Sequence, residues 1–147
     1  METAGAHSPL SAAGLHASVE GSLRRLQVDT IDIFYLHQPD HQADLDETLT
    51  EIAALQAEGK IGALGVSNYA AWQVMDVIAA AQRAGASRPV VGQNVFNLLA
   101  RRIEDEWAEF AATHQILTMC YNPLAGGMLA RRPDPQTAPS RFATSSL

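Results

Sequence analysis

Apolar positions along this chain switch between two periods. From Ser11 to Leu26 they recur as Leu15, Val19, Leu23 and Leu26, the spacing of one helix face. Short runs rich in β-branched and aromatic residues follow, each paired with a longer amphipathic stretch. This pattern predicts strands at 31–37, 61–66, 90–94 and 116–121 and helices at 46–58, 70–84 and 101–113. Strict alternation argues for parallel strands joined by right-handed crossovers. Local punctuation agrees: Asp44 is placed to cap the second helix with Glu47 three residues on, Gly59 stops that helix, and Gly85 and Pro89 end the next. After Asn122 the texture turns to Pro, Gly, Ala and Ser, predicting a loop or tail. The whole reads as a single unit over 1–147 with flexible flanks at 1–10 and 130–147.

Each strand ends in polar residues: His37, then Ser67 and Asn68, then Gln93, then Tyr121. Their separations of 30, 26 and 28 residues match one strand-plus-helix repeat. Side chains alternate along a strand, so His37 shares a face with Tyr35 and Ile33, Ser67 with Gly65 and Ala63, and Tyr121 with Met119 and Leu117. Each strand thus offers an apolar inner face with a polar group at its C-terminal end, the edge where parallel α/β proteins bind ligands. Four such units make an α/β fold that is part of a (β/α)8 TIM barrel, with about four parallel strands. An open doubly wound sheet is the alternative, and no G-x-G-x-x-G follows any strand. A half barrel leaves two strand edges unpaired, which invites association.

Size and charge narrow the function. At 147 residues the chain can bury a core, but falls short of the ~250 residues typical of a complete barrel. A net charge of −6 and a pI near 5.2 offer no basic field for nucleic acid or an anionic membrane. No apolar run approaches a membrane span and the N-terminus lacks the pattern of a signal peptide, so the chain reads as soluble and cytoplasmic. Cys120, the sole cysteine, reads as a buried small hydrophobe rather than a reactive thiol. His7, His16, His41 and His114 lack metal-ligand spacing, so no metal site is expected. Trp72 and Trp107 read as helix-face packing. On bland readings His37 is a structural histidine, Tyr121 is core, and Ser67-Asn68 is the N-cap of the following helix.

The segments SLRRLQVDTIDIFYLHQPDH (22–41), EGKIGALGVSNYAAW (58–72), QNVFNLLARRIEDE (93–106) and YNPLAGGML (121–129) together resemble the aldo-keto reductases, in the branch that includes the aflatoxin-aldehyde reductases. The resemblance covers roughly 10–130, in the family's order. It implies a barrel that reduces aldehydes and ketones with NADP(H), without a Rossmann fingerprint. By motif, His37 matches the active-site histidine that orients the substrate carbonyl; Ser67, Asn68 and Gln93 match the groups that hold the nicotinamide carboxamide; and Tyr121 matches the ring that stacks on the nicotinamide. Asn122, Leu124 and Gly126 fall in the matching cofactor loop, where Gly126 and Gly127 would bring N–H groups to a pyrophosphate. Arg141 resembles a basic position that meets cofactor phosphate. The chemistry suits the types: an amide has both donors and an acceptor for a carboxamide, a tyrosine face is a flat platform, and a histidine can donate to a developing oxyanion.

The resemblance also requires a tyrosine proton donor with a lysine and an aspartate, supplied by barrel units that have no match here. The single lysine, Lys60, begins a strand and is therefore expected at the opposite, N-terminal face. Two expectations follow. One is an NADPH-dependent reductase of small carbonyl substrates, truncated so that this chain alone is inactive, with Tyr35 or Tyr69 the first residues to consider as a substitute acid. The other is a non-catalytic half barrel that forms homo-oligomers through its open strand edges.

Overall fold

The two sequence periods resolve into a single curved layer of strands backed by helices. The computed structural model describes residues 9–130. Within them run α1 (Ala12–Leu26), β1 (Ile31–Leu36), α2 (Leu45–Ala57), β2 (Ile61–Ser67), α3 (Ala71–Ala84), β3 (Pro89–Val95), α4 (Trp107–Thr113) and β4 (Leu117–Tyr121), with 3-10 turns at Arg102–Glu104 and Ala125–Gly127. The four strands form one sheet in the order β1-β2-β3-β4, and every neighbouring pair is parallel. This is the half-barrel arrangement that the repeat predicts.

Helix boundaries follow local chemistry. Ser11 Oγ accepts from Gly14 N at the start of α1, and Asp44 Oδ1 accepts from Asp46 N and Glu47 N at the start of α2. The expected reciprocal arm from Glu47 is used elsewhere: its Oε1 accepts from Ala12 N at 3.4 Å, joining the N-termini of α1 and α2. Leu10, expected in a flexible leader, is held by Thr48 Oγ1 donating to its carbonyl at 2.8 Å and packs on the core. The rest of the predicted flexible flanks lies outside the described residues. Nor is the span 101–113 one continuous helix. The Arg101–Glu104 fork closes a 3-10 turn, and α4 starts only at Trp107, which must aim its ring at Gly92 of β3.

Burial is one-sided. Leu36, Leu64 and Val66 meet Leu15 and Val19 of α1, Leu49, Ile52 and Leu55 of α2, and Val74 and Val77 of α3, all essentially inaccessible. Trp107 packs at the β3 end, its indole N–H donating to Thr118 Oγ1 at 3.0 Å. A Cβ at Gly92 would sit 2.1 Å from that ring, so only glycine fits there. Across the sheet, the inner face stays open: Ile33 is 40% and Leu117 73% exposed. Cys120 is exposed rather than buried, because β4 is the edge strand of the sheet and the seven-residue α4 is too short to cover it along its length. Trp72 is likewise 62% exposed and so does not pack into the helix layer. Among the described residues no helix is long and apolar enough to cross a membrane.

Candidate functional site

Parallel register carries the strand ends to one edge: Tyr35 pairs with Gly65, Ser67 with Gln93, and Val95 with Tyr121. Just beyond β2, Asn68 takes a left-handed backbone (φ 62°), which asparagine tolerates better than most residues. That turn places one amide among four strands. Asn68 Nδ2 donates to the His37 carbonyl at 3.0 Å and to Ser67 Oγ at 3.0 Å. Its Oδ1 accepts from the Tyr121 hydroxyl at 2.8 Å, and its backbone N–H donates to the Gln93 carbonyl at 3.1 Å. His37, Ser67, Asn68, Gln93 and Tyr121, separated by up to 84 residues in sequence, therefore share one hydrogen-bonded cluster.

Ser67-Asn68 is not the cap of α3. The N-cap is Ala70, whose N–H donates to Gln73 Oε1 at 2.9 Å, so the cluster is free of that structural duty. Gln93 holds its Nε2 against Met119 Sδ at 3.3 Å, a weak acceptor that a better one readily displaces. The His37 ring is exposed and forms no hydrogen bond or ion pair among the described residues. Tyr121 is 37% exposed, so a flat ring has access to it. Gln93 and Tyr121 fit a carboxamide-bearing aromatic ring, offering an amide donor and acceptor and an aromatic platform, while Ser67 is buried and the side-chain polar atoms of Asn68 are engaged within the cluster.

Beneath the cluster lies a floor that sequence pattern did not reveal. The Tyr35 ring lies across β2 and sends its hydroxyl to Met119 Sδ of β4 at 3.8 Å. Only a glycine permits this: a Cβ at Gly65 would stand 2.8 Å from two Tyr35 ring carbons and 3.1 Å from Val91 Cγ1. Asn97, also missed, is buried and ties the β3–α4 loop to the tip of β4. Its Nδ2 donates to the Asn122 carbonyl at 3.0 Å, while its Oδ1 accepts from Leu99 N and Ala100 N. The signal available was an asparagine in the loop that follows a strand with a site residue.

The loop after β4 is tighter than expected. Asn122, at φ 58°, accepts from Gly126 N with its Oδ1 at 2.6 Å, and Gly127 N donates to the Leu124 carbonyl. Neither glycine N–H is thus free for a phosphate in this conformation. Leu124 projects an exposed side chain beside them. Arg141 lies outside the described residues.

The candidate acids separate cleanly. Tyr69 is buried on the helix side, donates to the Gln38 carbonyl at 3.3 Å, and has its phenol pushed up to about 12 by burial and by the Asp40 charge. It does not face the cluster. Tyr35 is on the inner face, one layer below. Lys60 is at the opposite edge, clamped by Glu20 at 2.6 Å and Glu58 at 2.7 Å, which raise its pKa. Among the described residues no group of His, Cys, Asp and Glu is arranged to hold a metal ion.

The sequence profile of the Aldo/keto reductase family matches residues 1–146. The chain is 40% identical over 115 residues to human aldo-keto reductase family 7 member A3, and equally to human aflatoxin B1 aldehyde reductase member 4; each match covers 78% of this chain and 35% of the relative. A fungal aldo-keto reductase, pigE of Monascus ruber, is 32% identical over 84% of this chain and 36% of its own length. Among solved structures, a glycerol dehydrogenase of Gluconobacter oxydans superposes with a TM-score of 0.77 at 33% identity, covering 90% of this chain and 39% of that one. The chain spans about a third of the length of these relatives.

Proposed function

Because this chain belongs to the aldo/keto reductase family, we propose that its strand C-terminal edge holds the nicotinamide end of NADPH and orients a small carbonyl substrate for reduction to an alcohol. One observation carries the reading: Asn68 joins His37, Ser67, Gln93 and Tyr121 in a single cluster. When bound, the reduced nicotinamide supplies the hydride. The residues here bind and orient. Gln93 exchanges its thioether contact for the carboxamide, Asn68 holds the strand ends around it through its bonds to His37, Ser67 and Tyr121, and the Tyr121 ring supports the nicotinamide. His37, with no competing partner, donates to the carbonyl oxygen as negative charge builds there. Relatives named as aldehyde reductases favour an aldehyde as that carbonyl.

Reduction also needs a proton. Tyr69 is turned away with a raised pKa, Tyr35 lies one layer below with its hydroxyl against Met119, Lys60 is at the far edge, and the Tyr121 hydroxyl already donates to Asn68. Without an acid positioned at the cluster among the described residues, about 10²–10⁴ of the rate is forgone. The chain by itself is therefore expected to hold nicotinamide without appreciable turnover. Saturation-transfer NMR with NADPH is the test. Nicotinamide-ring protons should receive more saturation than adenine protons, and Gln93→Ala should abolish the difference. Contact through adenine alone, or a nicotinamide signal indifferent to Gln93→Ala and Tyr121→Ala, overturns the reading.

A further inference from the structure

The N–H groups that open a helix need acceptors, and a Ser, Thr, Asp or Asn at the cap normally supplies one. At α3 the cap is Ala70, which has no side-chain acceptor to offer. Ala70, Ala71 and Gln73 line a cleft of about 370 Å³ on the helix side of the sheet, between the start of α3 and the 3-10 turn before α4. We propose that this cleft binds the phosphate group of a small phosphate monoester.

Two further donors converge on it from other elements. Asn94 of β3 shares with Gly92 the strand face turned toward the helices, where the Trp107 ring lies. It lines the cleft at only 7% exposure, and its Nδ2 is buried without a hydrogen-bond partner. A buried amide donor left unsatisfied is costly, and an acceptor reaching the cleft floor relieves it. Arg102 supplies the charge. Its neighbour Arg101 is held in a fork by Glu104, whereas the Arg102 side chain lines the cleft and forms no hydrogen bond or ion pair among the described residues.

Donors thus approach from helix, strand and turn, which suits a tetrahedral oxyanion with several acceptors better than a planar carboxylate. The remaining volume, along Val95 and Ile103, can take a short carbon skeleton. Among the described residues Glu106 is the one carboxylate on the lining, and it opposes the anion. None of these walls is an end of the sequence: α2 packs against α3, and β4 pairs with β3. The cleft also stands apart from the nicotinamide groups, because Gln93 and Asn94 point to opposite faces of β3.

Titrating the full chain with inorganic phosphate and with phenyl phosphate at constant ionic strength, with amide chemical shifts read by NMR, tests this. Saturable shifts are expected at the backbone amides of Ala71, Trp72 and Gln73 and at the Asn94 side-chain amide, and chloride should not reproduce them. Arg102→Ala should weaken phosphate binding ~10-fold, and Asn94→Leu by a similar factor. Arg102 is exposed, so its replacement reads the site rather than the fold. Glu106→Gln should strengthen binding, since it removes a like charge from the lining. Shifts that chloride reproduces, shifts that never saturate, or an affinity indifferent to Arg102→Ala and Asn94→Leu each overturn the proposal.

Discussion

The phenolic hydroxyl of Tyr121 donates to Oδ1 of Asn68 across 2.8 Å, fastening the tip of β4 to the turn after β2 over the intervening β3. The same asparagine reaches His37 with its Nδ2, so one side chain spans the sheet from first strand to last.

Replacing Asn68 separates its two contributions. Alanine removes the side-chain hydrogen bonds and strains the left-handed backbone, whereas glycine removes the bonds and relieves the backbone. Asn68→Ala is expected to cost about 2–3 kcal/mol and Asn68→Gly about 1 kcal/mol in urea unfolding. Equal losses would mean that the backbone conformation contributes nothing.

Two glycines should rank by how freely their neighbours can move. Gly92 faces Trp107, buried and pinned through Thr118, so Gly92→Ala is expected to cost about 3 kcal/mol or more. Gly65 faces Tyr35 on the open side, where the ring can swing away, so Gly65→Ala should cost only about 1 kcal/mol. Thermal melts of both variants decide the order. Adding Tyr35→Ala should recover part of the Gly65→Ala loss and none of the Gly92→Ala loss.

Alkaline pH should destabilise the fold through Tyr69. Its folded pKa is raised from 10.0 to about 12, so the folded state retains a proton that the unfolded state gives up. The resulting stability is complete below pH 10 and is lost as pH climbs toward 12. In denaturant titrations at stepped pH, Tyr69→Phe should flatten this decline. A slope over that window unchanged by Tyr69→Phe would show that another group is responsible.

The two tryptophans are expected to report separately. Iodide should quench Trp72, exposed on α3, and spare Trp107 beneath α4. Emission of Trp72→Phe should be blue-shifted and resistant to quencher; a red, quenchable spectrum would place Trp107 in solvent.

Sequence period and turn chemistry were enough to find every strand to within a residue or two, because Asp44, Gly59 and Gly85 act on their own neighbours. The shared edge was legible for the same reason: strand parity and repeat length together place His37, Ser67, Gln93 and Tyr121. What stayed hidden depends on partners far along the chain. Glu47 was spaced for a capping box with Asp44, yet it bonds Ala12 of another helix. The aromatic pattern could not reveal that Trp72 faces solvent while Trp107 lies on a glycine of β3. Cys120 sits in an apolar strand, but exposure is set by what covers the strand, and residue types do not encode that.

Sheet order that repeats chain order has a consequence during synthesis. Each strand leaving the ribosome finds its pairing edge on the strand made just before it, with a helix already in place to cover the joint. No strand waits for a later one to be inserted between it and its neighbour. Assembly can therefore proceed vectorially, one βα unit at a time, with the newest strand as the growing edge.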